Sequence, residues 1–247
     1  MGGHSHWKGI KEKKGKLDKA RGKLFAKLLR AIEISARQGD PNPDNNPNLF
    51  DAIQRAKDAS VPKDNIDRAV ARGAGEIAGE NYETIFYEGY ASGGVAMLVE
   101  GLTNNRNRTS QDLRAIFSKH GGSLGEPGSV KWMFDKRGVI VVAKSAADED
   151  KLMELALEAG ADDVRDAGGD WEIVCEQKAF EAVRGAIDAA GIERLSAEVT
   201  MLPQNTVAVD GENARKVLRM MDALEDHDDV QAVYANFDIP ESVFAEL

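Results

Sequence analysis

Residues 138–201 read GVIVVAKSAADEDKLMELALEAGADDVRDAGGDWEIVCEQKAFEAVRGAIDAAGIERLSAEVTM, and this stretch sets the fold class. GVIVVA, residues 138–143, is a short apolar run rich in β-branched residues, as expected of a strand. The segment 148–159 reads as a helix, and Asp148, Glu149 and Asp150 suit its positive N-terminal end. A strand near 161–166, a Gly-Gly turn and the strand WEIVCE, 171–176, come next. A helix over 178–190 and a strand over 193–201 complete a β-α-β-β-α-β order, the ferredoxin-like arrangement. Pro203 closes the unit.

The flanks of this unit belong together. Before it, 84–90 (TIFYEGY) and 94–102 (GVAMLVEGL) read as strands joined by a Ser-Gly-Gly turn. TNNRNR, 103–108, leads into a helix from about Ser110 to His120, with Leu113, Ile116 and Phe117 on its apolar side. A strand-like segment follows over 129–134. After the unit, a helix near 211–226 and a strand near 229–237 have no partners close in sequence. The simplest assembly returns them to 82–134, which makes the central unit an insertion.

The N-terminal third has a different period. GDPNPDNNP, 39–47, ends one long helix and makes a turn-rich connection. Asn46 is placed to cap the next helix, with Pro47 at its first position. Phe50, Ile53 and Ala56 give that helix its apolar spacing. Ser60 reads as the N-cap of a third helix, with Ile66, Ala69 and Val70 on one side and Gly73 at its end. GAGEIAG, 73–79, resembles a dinucleotide loop only superficially: no strand precedes it, and it reads as a linker. The expected fold is α+β and multidomain: a three-helix domain, then two α/β ferredoxin-like domains, one inserted in the other. The expected boundaries are 1–80, 81–135 plus 202–247, and 136–201.

Charge divides the chain in the same places. The formal net charge is −10, yet residues 1–38 hold eleven Lys and Arg against three acids. Residues 1–72 carry about +7 and the remainder about −17. A chain that gathers positive charge at one end and is acidic elsewhere reads as binding a polyanion with that end. From Lys16 the pattern is helical. Leu17, Ala20, Leu24, Leu28, Ala31, Ile32 and Ser35 share one side, and Lys16, Lys19, Lys23, Lys27, Arg30 and Arg37 another. Arg21 breaks the apolar side and Ile34 the basic side. The basic run continues into a non-periodic arm with Lys8, Lys11, Lys13 and Lys14. An arm plus a basic helix is a common nucleic-acid footprint, although such a run also fits a solvated helix face.

Three further features bear on binding. Arg106 and Arg108 lie between a strand and a helix N-terminus, where backbone N–H groups and guanidinium groups together suit an anion. The same residues also fit a capped loop whose arginines pair with acids of a neighbouring domain. Trp7, among His4, His6 and Lys8, suits base stacking, or equally a hydrophobic anchor for the arm. The run Glu225–Asp229 reads as a solvated acidic turn.

The rest argues against chemistry. The single cysteine, Cys175, alternates inside a strand as a core thiol and suits a reducing compartment. Removal of Met1 would leave Gly-Gly-His, a square-planar donor set for copper or nickel, read here as incidental. There is no Walker loop, nucleophile elbow or metal-spaced Cys/His set. No apolar run approaches the ~18 residues of a membrane span, and the basic N-terminus lacks a signal-peptide core. The chain is expected to be cytoplasmic and non-enzymatic, without cofactor, metal, membrane or small-molecule partner.

Several long motifs carry a family resemblance: GHSHWKGIKEKKGKLDKARGKLFAKL, VPKDNIDRAVARGAG, IFYEGYASGG, LTNNRNRT, FSKHGGSLGEPGSVKWMF and ALEDHDDVQAVYANF. They resemble the YebC/PmpR family over nearly the whole chain. The resemblance implies an N-terminal helical domain followed by two α/β domains, one inserted in the other, and no enzymatic activity. It also implies a DNA-binding transcriptional regulator or, as in relatives tied to translation, a ribosome-associated factor. Those relatives include a mitochondrial translational activator and factors that relieve stalling on proline-rich nascent chains. His6 and Asn104 depart from the family pattern, where Lys and Asp are usual.

The expected nucleic-acid contacts are Trp7, Lys8, Lys11, Lys13, Lys14, Lys16, Lys19, Lys23, Lys27, Arg30, Arg106 and Arg108. The expected partner is DNA or ribosomal RNA within the ribosome. No helix mixes Asn, Gln and Arg in the manner of a base-reading recognition helix, so phosphate contacts with weak sequence preference are expected.

Overall fold

The computed structural model describes residues 19–77, 81–209 and 211–239. The fold is α+β and multidomain, with helices and antiparallel sheets in separate layers. Of the expected contacts, Trp7, Lys8, Lys11, Lys13, Lys14 and Lys16 lie outside the described residues, as does the side chain of Lys19.

Three helices come first: α1 (Lys19–Gln38), α2 (Pro47–Asp58) and α3 (Lys63–Gly73). Their apolar stripes meet in one cluster built on Ile32, Ala36, Leu49, Ile53, Ala56 and Ile66. Asn46 is the hinge between α1 and α2. Its side-chain oxygen accepts from Leu49 N–H at 3.1 Å, and its amide donates to the carbonyls of Ser35 and Asp40 at 2.8 Å. One side chain thus caps α2 and ties it to the end of α1. Gly73 ends α3 against α1, where a Cβ would lie 2.3 Å from the Glu33 carbonyl, so only glycine permits the approach.

Ser60 differs from its expected role as an N-cap. It has φ +60°, and it donates to the Lys57 carbonyl while Val61 donates to that of Ala56. Ser60 therefore closes α2 in a left-handed Schellman turn with Val61 buried behind it, and α3 opens at Pro62 without a side-chain cap.

The middle sheet is built from β1 (Glu83–Tyr90), β2 (Ala96–Thr103), β3 (Ser123–Leu124) and β9 (Val230–Ala235), ordered β3-β1-β2-β9. All three pairings are antiparallel. Two helices, α4 (Arg106–Lys119) and α7 (Gly211–Glu225), pack on one face. The central strand β2 is buried on both sides, and its two-residue period sorts the layers. Met97 and Val99 join Leu113, Phe117 and Leu218 under the helices, while Ala96 and Leu98 join Val130, Phe134 and Tyr234 on the reverse face.

Between β3 and α7 the chain forms the second sheet. Its strands are β4 (Phe134–Ala143), β5 (Asp163–Asp166), β6 (Asp170–Glu176) and β7 (Arg194–Pro203). The order is β5-β6-β4-β7, fully antiparallel, the ferredoxin-like order. Helices α5 (Glu149–Glu158) and α6 (Phe180–Ala189) cover it through Leu152, Ala156, Val183 and Ile187. Cys175 is fully buried in this core, and burial pushes its thiol up to about 11, which keeps it protonated and inert. A short parallel pair, β8 (Val207–Ala208) with β10 (Phe237–Asp238), lies beside the middle domain.

Candidate nucleic-acid interface

Helix α1 presents Lys23, Lys27 and Arg30 on one side, as the 3.6-residue period requires. That side faces the end of α7 and the turn that follows it. The last carbonyls of a helix have no intrahelical partner and carry the negative end of its dipole. Three α1 cations meet the last of these carbonyls and two from the turn beyond it. Lys27 donates to the Glu225 carbonyl, Lys23 donates to that of Asp226 at 3.1 Å, and Arg30 donates to that of Asp228 at 3.1 Å. Lys23 also stands 3.7 Å from the Asp228 carboxylate. Burial in this seam pushes Lys27 down to about 8, against the pull of Glu225, Asp226 and Asp228.

Ile34 explains itself in this setting. It interrupts the basic side of α1 in sequence, and it is 5% exposed. An apolar residue on a cationic face was the signal that the lower part of this face is covered.

In the Asn104–Arg108 segment the loop is capped and both arginines pair with acids, which come from β1 and from the turn before β9 rather than from a neighbouring domain. Helix α4 starts at Arg106, four residues earlier than the periodicity indicated, because the Asn105 side chain accepts from Arg108 N–H at 3.1 Å. Arg106 forms a bidentate pair with Glu83. Arg108 reaches Asp229 at 2.8 Å. Both arginines stay half exposed or more, at 65% and 50%, and still offer N–H groups to solvent.

Asp229 departs from the expected solvated turn. It is no solvated member of an acidic turn but 4% exposed. Its carboxylate accepts from Arg108 and, at 2.7 Å, from the Thr109 hydroxyl, with Thr103 at 3.3 Å and Arg30 at 3.6 Å. Burial alone would raise this carboxyl, but the hydrogen bonds from Arg108 and Thr109 outweigh it and hold it below its ordinary value. His227 orders the same turn. Its Nδ1 accepts from Asp229 N–H at 3.1 Å, which leaves Nε2 to donate to Asp112 at 3.3 Å.

Lys23, Arg30 and Arg108 thus line one cleft of about 500 Å³ between α1, α4 and the 226–229 turn, with Tyr82 stacked under the Arg30 guanidinium at 4.6 Å. The cleft is mixed in sign, since Asp112, Asp226 and Asp228 share its lining. Among the described residues no His, Cys, Asp and Glu group has metal-site geometry, and no helix is long and apolar enough to cross a membrane.

Residues 5–76 match the family model for the TACO1/YebC protein N-terminal domain, and residues 82–237 match that for the TACO1/YebC second and third domain. The chain belongs to the TACO1/YebC family. It is 54% identical to a probable transcriptional regulatory protein of Desulfatibacillum aliphaticivorans, with all of both chains covered. It is 55% identical to one of Rubrobacter xylanophilus, covering 100% of this chain and 99% of that one. The crystal structure of a conserved hypothetical protein from Aquifex aeolicus superposes with a TM-score of 0.81 at 45% identity, over 91% of this chain and 93% of the other. The family resemblance carried by the sequence motifs is therefore real, and the α+β multidomain fold goes with it.

Two features of this family member had no sequence forecast. Glu33 lies buried in the helical domain, bound by Arg37 at 2.9 Å and Arg72 at 3.0 Å, and Arg37 also donates to the Asn81 side chain at 3.2 Å. Trp132 is 65% exposed, its indole N–H fixed on the Ser129 carbonyl at 3.2 Å. Its loop is held by Glu88, whose buried carboxylate accepts from the N–H groups of Gly128, Val130 and Lys131 at 2.7–2.8 Å. Three backbone donors converging on one distant acid leave no periodic trace in a sequence.

Proposed function

We propose that this TACO1/YebC-family chain is a non-enzymatic, nucleic-acid-binding regulatory protein of the cytoplasm, acting as a DNA-binding transcriptional regulator. The observation that carries the reading is the one-signed charge of residues 1–38, about +8 in a chain of net charge −10. Counter-ion release from phosphates rewards such a cluster, and an acidic remainder keeps the contact at one end. In this reading Lys8, Lys11, Lys13, Lys14, Lys16, Lys19, Lys23, Lys27 and Arg30 hold phosphates, Trp7 stacks or wedges, and Arg106 and Arg108 extend the path. The working partition is 1–80 for the binding domain, 81–135 with 202–247 for the middle domain, and 136–201 for the insertion. No cofactor, metal or small-molecule substrate enters the reading. The names of the two bacterial relatives, probable transcriptional regulatory proteins, support the regulatory part.

One observation favours a second target. The α1 side that carries Lys23, Lys27 and Arg30 meets the end of α7, and among the described residues it leaves no row of base-reading side chains there. Ribosomal RNA, recognised by shape and phosphate positions, demands no such row. Binding of a specific duplex, a scrambled duplex and a structured RNA, each at several salt concentrations, decides between them. A sequence-reading regulator holds the specific duplex at least tenfold more tightly at one salt concentration; equal affinity for both duplexes with preference for RNA assigns the ribosomal reading. Replacing the lysines from Lys8 to Lys27 by glutamine is expected to abolish binding to all three, and retained binding would refute the assignment of the site.

A further inference from the structure

We infer that the end of α7 and the 226–229 turn act as a built-in competitor for nucleic acid, seated on α1 cations that polyphosphate must otherwise take. The inference rests on the proposed role of α1 and adds a gate to it.

The geometry is that of a phosphate mimic. Lys23, Lys27 and Arg30 each donate to one carbonyl, those of Asp226, Glu225 and Asp228 in turn. The carboxylates of Asp228 and Asp229 stand 3.7 Å from Lys23 and 3.6 Å from Arg30. An oxygen-rich, negatively charged strip facing a row of cations presents what a nucleic-acid backbone presents.

The seam is also of a kind that can open. The helical domain packs its own apolar cluster, and among the described residues no apolar cluster joins it to the middle or inserted domain. The contacts named across the boundaries are polar: the α1 cations, Arg30 over Tyr82, and Arg55 donating to the Val199 carbonyl at 2.9 Å. Polar interdomain contacts of this type permit relative motion and weaken with salt. A polyanion that binds Lys23, Lys27 and Arg30 must therefore lift α1 from the turn, and the intramolecular acids set a threshold that weakly charged ligands do not cross.

Asp226 and Asp228 are exposed and can be neutralised without opening a core. The full-length chain, its Asp226→Asn/Asp228→Asn variant and a control, Glu154→Gln/Glu158→Gln on α5, are titrated with a 25-base-pair duplex and a single-stranded RNA of equal length. The control changes net charge by the same amount far along the chain. The seam variant is expected to bind about three- to tenfold more tightly than wild type, as two screened surface charges allow, and the control less than twofold. Hydrogen exchange of residues 225–230 is expected to accelerate when nucleic acid binds the wild-type chain. Equal affinity of wild type and seam variant, an equal gain in the control, or slowed exchange at 225–230 overturns the gate and leaves nucleic-acid binding standing. Failure of all three proteins to bind either probe at low salt overturns the binding reading and the gate with it.

Discussion

Two buried carboxylates organise this molecule, and they recruit their donors in opposite ways. Glu88 collects three backbone N–H groups from one loop of its own domain. Asp229 collects side chains, among them Arg108 and Thr109 from α4 and Arg30 from the helical domain. Both carboxyls are buried, which alone would raise them, and both are held below their ordinary values by the donors they gather. The difference lies in reach. The Glu88 cluster fixes a loop within a domain, whereas the Asp229 cluster is a joint between domains. Losing a backbone clamp is a folding event; losing part of a side-chain joint is a docking event.

The largest expected effect tests the first half of that contrast. Glu88→Ala strands three N–H groups and should cost about 3 kcal/mol in chemical denaturation, with Trp132 fluorescence reporting a disordered loop. Asp229→Ala should cost about 2 kcal/mol, because it removes a buried acceptor shared by Arg108 and Thr109, although Thr109 keeps Thr103 and the Asn105 carbonyl and Arg108 can turn to water. Thr109→Val, which keeps the shape and removes the hydroxyl, should cost about 1 kcal/mol. Arg30→Ala should cost about 0.5 kcal/mol or less, yet it should speed exchange at 226–229 and free the helical domain. A cost for Arg30→Ala as large as that for Asp229→Ala would erase the distinction between joint and clamp.

Acid offers a second way to sharpen it. Both carboxyls titrate lower in the folded chain than in the unfolded one, so their contributions are full above the ordinary values of 4.5 and 3.8. Those contributions are lost as pH falls below them, because the unfolded chain then binds protons that the folded chain does not. The melting temperature of wild type should fall steeply below about pH 4.5, and Glu88→Gln should start lower but fall less steeply. Lys27 works at the other end of the scale. Its ordinary value is 10.5 and its folded value about 8, so its contribution to stability should rise with pH between those two points. A small gain in melting temperature there, absent in Lys27→Met, is the least of these effects.

The sequence showed these two clusters unequally. Strand and helix order over 138–201 was legible because each element carries its own period, and the β-α-β-β-α-β succession names the ferredoxin-like arrangement that the sheet order shows. Asn46 was legible as a cap because Pro47 follows it. Asp229 was not, since its burial comes from α1, α4 and β2 converging on one turn, and a five-residue acidic run looks solvated until its neighbours are known. Arg106 and Arg108 were legible as cations that bind either an anion or nearby acids; only the arrangement of β1 and the turn before β9 supplies Glu83 and Asp229. Glu88 was invisible, because backbone donors have no side-chain signature. Of the basic side read on α1, Lys23, Lys27 and Arg30 meet the end of α7 together, whereas Arg37 turns to Glu33 and Ile34 is buried.

The central strand of the middle sheet carries one more consequence. β2 is paired on one side by its hairpin neighbour β1 and on the other by β9, which begins at Val230. As the chain leaves the ribosome, β2 waits with an open edge while the whole inserted unit is synthesised. That unit has a complete sheet of its own and can close before β9 emerges. Assembly is therefore inside out, insertion first and host last, and the Ala96–Thr103 edge is the place where a nascent chain is most exposed to mispairing.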